Sequence, residues 1–188
     1  RHLLEALSTA TNPPLCTIVA SSANVYGNSA LEVLDETAAT LPANDYAVSK
    51  LAMEYLAKTY MARLGIVITR PFNYSGVGQE PRYLIPKIVS HFKAQALHIE
   101  LGNTDVARDF SDVRDIARAY RLLAEARPLG EIINLCSGEA TALETCIGIA
   151  SDITGHNIEV RVNPNLVRTN EVKTLRGCGK KLDSITGR

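Results

Sequence analysis

Two short apolar runs constrain this fold more than any other feature. LCTIVAS (15–21) and IVITR (66–70) are uninterrupted and partly β-branched. That is the pattern of a strand covered on both faces, not of a half-exposed strand with alternating polarity. Between them Ala47, Val48, Leu51, Ala52, Tyr55 and Leu56 recur at helical spacing, with Asn44 or Asp45 as a cap and Gly65 as a stop. Strand, helix, strand in this order predicts parallel pairing through a right-handed crossover, the unit of a doubly wound α/β sheet. Upstream, residues 1–9 read as the end of an amphipathic helix closed by TNPP, and turn formers fill 24–42.

Beyond Pro71 the elements shorten. The pattern predicts a helix over 84–95, with Pro86 tolerated near its start, and strands at 98–101 and 106–110. A helix over 113–125, a buried strand at 131–136, a helix over 142–153 and a strand at 158–162 follow. The change of texture near 71–80 divides a sheet domain from a smaller α/β region. Segments between 98 and 136 are expected to return strands to the main sheet.

Composition narrows the function classes. With 46% hydrophobic and 21% charged residues, the chain is too apolar for disorder. Twenty basic and twenty acidic residues cancel, so no overall field points to nucleic acid or an anionic membrane. No apolar run approaches the roughly 20 residues of a membrane span. Cys16, Cys136, Cys146 and Cys178 lack paired spacing, which favours reduced thiols in a cytoplasmic protein over a disulfide scaffold or a zinc knuckle. The four histidines have no metal-ligand spacing, so no metal site is expected. The opening RHLLEAL, already helical and without an initiator methionine, and the closing SITGR both read as cut ends.

In open α/β sheets ligands bind beyond the carboxyl ends of the strands. That selects SSANVYG (21–27) and RPFNYSGVGQ (70–79), and NDYAVSK (44–50) opens the helix between them. Tyr46 and Lys50 then share one helix face, one turn apart. Their spacing alone describes an ordinary helix surface equally well. A phenol with pKa near 10 is a poor acid at neutral pH, but a neighbouring ammonium favours phenolate. With a serine hydroxyl bridging to the substrate, Tyr46 could protonate a carbonyl oxygen as a hydride arrives, while Lys50 holds a nicotinamide ribose.

The order SSANVYG, YAVSK, RPFN resembles the extended short-chain dehydrogenase/reductases, the NAD-dependent epimerase/dehydratase family of nucleotide-sugar enzymes. RPFNYSGVGQ, ARDFSDVRD, NLCSGE and RTNEV resemble, within that family, the reductases of GDP-4-keto-6-deoxy-mannose. The resemblance runs from about residue 13 to 187. It implies Ser22, Tyr46 and Lys50 as catalytic residues, with Tyr46, Lys50 and Phe72 facing the cofactor. It implies Asn73 near the sugar diphosphate, Arg108 at the nucleotide, and Arg168 and Glu171 at its phosphate and ribose. Read without the resemblance, Asn73 is also a turn residue, and Arg108 also a member of a surface ion-pair net with Asp105, Asp109 or Asp112. Arg168 and Glu171 are equally solvated charges, and Lys87 either approaches a phosphate or is a free helix lysine.

Two departures matter. The family's 4,6-dehydratases carry an acidic residue two places before the VYG tyrosine; here that place is Asn24, and Ala23 beside it is not acidic either. This argues against dehydration and leaves keto reduction or epimerisation. The family's G-x-x-G-x-x-G turn is missing, and Gly76-Val77-Gly78 is neither complete nor in the right place. The expectation is therefore residues 1–75 as the C-terminal half of a dinucleotide-binding domain, its glycine-rich half absent, and 76–188 as mainly substrate-binding. The implied function is NAD(P)H-dependent reduction of GDP-4-keto-6-deoxy-D-mannose to GDP-D-rhamnose, by a homodimer when complete. The alternatives are a nucleotide-sugar 4-epimerase and a non-catalytic remnant. NADP is not distinguished from NAD.

Overall fold

The computed structural model describes residues 1–168 and 171–187. A parallel sheet at its centre has the order β1 (Thr17–Ala20), β2 (Ile66–Pro71), β6 (Ile132–Leu135). The register pairs Thr17 with Ile66 and Ile68 with Ile132. Helices cover both faces. Ile66 and Ile68 pack under α1 (His2–Thr9) and the region following α2 (Asp45–Lys58), against Leu4, Ala57, Tyr60 and Leu64. Val67, Ile133 and Leu135 pack under α4 (Val113–Ala126) and α6 (Lys180–Thr186), against Ile116, Leu123 and Leu182. Alternate side chains of β2 thus feed opposite cores, which is why its sequence is continuously apolar.

The second region is built from short strands. β5 (Ala107–Asp112) lies between β3 (Asn73–Ser75) and β7 (Ala140–Ala142), and β9 (Thr174–Leu175) also pairs with it. β4 (His98–Leu101) pairs in parallel with β8 (Glu159–Val162), and α3 (Leu84–Lys93) and α5 (Leu143–Thr154) close a core around Ile88, Phe92, Ile99 and Leu143. Of the segments between 98 and 136, β6 returns to the main sheet, whereas β4 and β5 pair elsewhere.

Three local expectations need correction. β1 is half-buried to exposed along its length, because it pairs only with β2 among the described residues. α2 stops at Lys58, and turns carry the chain from there to Gly65. Its inward face is also not the stripe expected: Ala47, Glu54 and Ala57 are buried, while Val48 and Tyr55 are 52% and 61% exposed. A buried glutamate breaks an apolar-periodicity reading, and its partner is found at the functional site.

Candidate functional site

The rim of the parallel sheet is organised by three local devices. β1 ends at Ala20, and Ser21 N–H still donates to the Thr69 carbonyl at 2.7 Å, so the sheet continues into the turn. Ser22 then caps a 3-10 turn over Ala23–Tyr26, its Oγ accepting the Asn24 N–H at 3.2 Å. Gly27 leaves that turn at φ +58°, where a Cβ would lie 1.6 Å from the Leu41 carbonyl oxygen, so only glycine lets the following loop return this closely. Across the cleft, Asn44 caps α2 by accepting the Ala47 N–H at 2.9 Å, which starts the helix one residue before Tyr46.

These devices bring Ser22, Asn24, Tyr46, Lys50, Phe72 and Asn73 to the wall of one cavity of about 520 Å³. The Lys50 ammonium donates to the Ala20 carbonyl at 2.9 Å and lies 5.7 Å from the centroid of the Tyr46 ring. Tyr46 is 51% exposed, and its hydroxyl has no hydrogen-bond partner among the described residues. The lining includes no Asp or Glu among the described residues, so the Lys50 charge has no carboxylate competitor there. Asn24, the position at which the resemblance places an acidic residue in dehydratases, also lines this wall. A phenol, an ammonium and a hydroxyl around one space can deliver a proton to a carbonyl oxygen and stabilise the charge that develops.

Asn73 reaches the same space from β3, with Nδ2 3.4 Å from the Asp109 carbonyl. Phe72 borders the cavity while packing in the core with Ala23, Tyr26, Leu34, Cys136 and Leu175. Tyr120, from α4, was not anticipated. Its hydroxyl shares a 3.1 Å hydrogen bond with Thr69 Oγ1, and burial pushes its phenol up, which keeps it protonated in the wall. One tyrosine on an amphipathic helix carries no sequence signal for such a place.

Arg108, Glu171 and Arg168 form a second cluster, on β5 and the segments around the undescribed Thr169 and Asn170. Arg108 Nη2 is paired with Glu171 Oε1, and Nη1 donates to the carbonyls of Ala107 and Lys173 at 2.8 and 3.2 Å. Arg168 approaches Glu171 at 3.4 Å from an exposed position, and its backbone is tied to the Asn103 side chain. None of the three aspartates considered as partners of Arg108 holds it. Asp105 pairs with Lys173 and Asp112 with Arg114, while the buried Asp109 accepts from Ser137, Gly138 and Gly177. Lys87 donates to the Glu100 carbonyl and is not in the cavity wall.

Beneath the catalytic candidates lies a buried pair. Arg70 Nε and Nη2 donate to the two Glu54 carboxylate oxygens at 2.9 and 2.7 Å, with side-chain exposures of 4% and 1%. Burial works against the Arg70 charge, but the Glu54 carboxylate and Tyr26 outweigh it, and Arg70 titrates above its ordinary range. The sequence held a signal for this pair: Glu54 interrupts an apolar stripe, and Arg70 ends an apolar strand.

Residues 1–187 match the family described as GDP-mannose 4,6 dehydratase. The chain belongs to that family. Among curated relatives, the GDP-6-deoxy-D-talose 4-dehydrogenase of Aggregatibacter actinomycetemcomitans is 34% identical over 168 residues, covering 89% of this chain and 57% of the relative. The GDP-6-deoxy-D-mannose reductase of Pseudomonas aeruginosa is 35% identical over 176 residues, covering 89% and 58%. This member of the family thus spans rather more than half the length of those relatives. Among solved structures, a Burkholderia cenocepacia J2315 protein assigned provisionally as an epimerase is 55% identical with a TM-score of 0.97, covering 100% of this chain and 62% of that one. RMD of Pseudomonas aeruginosa, complexed with NADPH, is 32% identical with a TM-score of 0.88, covering 98% and 64%. The parallel sheet is therefore of the Rossmann type found in nucleotide-sugar epimerases and dehydratases. No helix among the described residues is long and apolar enough to cross a membrane.

Proposed function

We propose that the chain supplies the proton-transfer and substrate side of a nucleotide-sugar oxidoreductase. The reaction is reduction of the 4-keto group of GDP-4-keto-6-deoxy-D-mannose to GDP-D-rhamnose. The observation that carries this reading is a single carboxylate-free cavity walled by Ser22, Tyr46 and Lys50. Tyr46 gives its phenolic proton to the sugar O4 while Ser22 donates a hydrogen bond to the same oxygen. The phenolate left behind is stabilised by the Lys50 ammonium, whose hydrogen bond to the Ala20 carbonyl leaves further protons to share. Asn73 faces the sugar diphosphate.

The residues present fit one end of a nicotinamide cofactor. An ammonium and a phenol in a space with no Asp or Glu among its described lining residues suit ribose hydroxyls, and Phe72 borders the same space. When bound, NADPH or NADH would supply the hydride to C4; solved relatives holding NADPH and holding NAD support a nicotinamide cofactor. In this reading residues 1–75 belong to the dinucleotide-binding domain and 76–188 mainly to the substrate region, where Arg108, Arg168 and Glu171 hold the nucleotide. We assign a homodimer to the complete enzyme, because Leu3 on α1 and Val48 and Tyr55 on α2 are 70%, 52% and 61% exposed on neighbouring helices.

The test is Tyr46→Phe in a full-length protein carrying this sequence. Turnover falls by about a hundredfold or more with GDP-sugar affinity retained; undiminished turnover overturns the assignment. The likeness to the Burkholderia protein favours a second reading, a 4-epimerase using the same three residues. Net consumption of NADPH or NADH identifies the reductase, and sugar interconversion without it identifies the epimerase.

A further inference from the structure

Tyr46, Lys50 and Glu54 follow one another at intervals of four along α2, so the exposed Tyr46, the half-buried Lys50 and the buried carboxylate lie along one stripe. Glu54 holds Arg70 of β2 through two hydrogen bonds. The same guanidinium lies 4.8 Å from the centroid of the Tyr26 ring. Tyr26 ends the 3-10 turn that Ser22 begins, and its hydroxyl donates to Asn134 Oδ1 of β6 at 2.7 Å. Asn134 is fixed in turn by Glu36, which accepts its N–H at 2.8 Å, and by the Leu34 carbonyl, which accepts from Nδ2 at 2.9 Å. One buried chain of contacts therefore runs from the helix bearing Tyr46 and Lys50 to the turn bearing Ser22.

As a source of stability this arrangement is poor. Desolvating an ion pair consumes most of its attraction, and Arg70 Nη1 is buried with no hydrogen-bond partner. What the pair supplies is direction: two parallel bonds set the rotation of α2 about its axis, and the stacked guanidinium sets the tilt of Tyr26. An apolar pair of the same volume would fill the space without specifying either.

We propose that Glu54, Arg70 and Tyr26 are positioning residues that hold Ser22 at working distance from Tyr46 and Lys50. The proposal rests on the catalytic reading of that trio. A small misplacement of reacting groups costs turnover much more than binding, so Glu54→Gln, which keeps the shape and removes the charge, lowers kcat about tenfold or more and leaves KM for the GDP-sugar within about twofold. Tyr26→Phe, which keeps the ring and removes the bond to Asn134, gives the same pattern at smaller size.

The test is a set of double mutants in the full-length protein, with amide exchange measured on the 188-residue chain. Combined with Tyr46→Phe, Glu54→Gln lowers kcat no further, because the proton donor against which Ser22 is held is gone. In the chain alone, Glu54→Gln speeds exchange at Asn24, Val25 and Gly27 more than at Ile68 and Thr69. A folded Glu54→Gln protein with unchanged kcat, or a loss that adds in full to that of Tyr46→Phe, overturns the proposal. If Tyr46→Phe itself leaves turnover unchanged, the reductase reading fails separately. Exchange then decides positioning: faster exchange confined to the turn supports it, and uniform or unchanged exchange overturns it.

Discussion

The Tyr46–Lys50 rim and the Arg108–Glu171–Arg168 cluster are built on opposite plans. At the rim the charged pair is buried beneath the site, and the groups facing the cavity are open: the Tyr46 hydroxyl has no partner among the described residues. In the cluster the charges neutralise each other, with side chains of Arg108 and Glu171 only 12% and 18% exposed. One region holds its frame rigid so that its reactive groups are free. The other occupies its ligand-type groups with one another, so an anion arriving at Arg108 must compete with Glu171. The rim also stands on a continuous parallel sheet, whereas the cluster stands on strands as short as two and three residues.

The contrast can be broken by substitution. Glu54→Ala leaves the Arg70 guanidinium buried without a counter-charge, and costs about 3–5 kcal/mol in denaturant unfolding of the chain. Glu171→Ala should cost less in the same measurement, about 1–2 kcal/mol, because that pair is less deeply buried and Arg108 keeps its two carbonyl partners. Equal losses would remove the distinction between a framing pair and a partly buried one. Arg108→Ala sharpens it in another direction: on the proposed role of Arg108 at the nucleotide, calorimetric affinity for GDP falls about tenfold, since a charge-assisted guanidinium contact is lost. Unchanged affinity would reduce Arg108 to a structural partner of Glu171. The smallest effect is expected where the regions meet. Burial pushes the Cys136 thiol up to about 12, so iodoacetamide at pH 8 labels it far more slowly than the half-buried Cys178. Comparable labelling would mean that the packing of Cys136 against Phe72 and Gly177 opens readily.

Much of this was legible along the chain. The apolar run at 66–70 is a buried central strand, the capped segment from Asn44 is a helix, and SSANVYG and YAVSK do line one cavity. The misreadings have physical causes. LCTIVAS has the pattern of a strand covered on both faces, yet β1 is half-buried to exposed, since composition does not say whether a strand has one neighbour or two. Tyr55 belongs to the apolar recurrence of its helix and is nevertheless exposed, because the helix turns Glu54 inward instead. The short strands β7 and β9 and the helix α6 left no periodic pattern long enough to read.

Local pattern determined what each segment is, because burial periodicity and capping act over a few residues. It also marked Tyr46, Lys50 and Ser22, whose spacing along two neighbouring elements is enough to bring them to one rim. Only the tertiary structure decided the partnerships across sequence: Glu54 with Arg70, Tyr26 with Asn134 108 residues away, and Arg108 with Glu171 at a separation of 63. A buried charge must find a counter-charge wherever packing puts one, and the choice among many acidic residues is made by three-dimensional geometry, which no stretch of sequence contains.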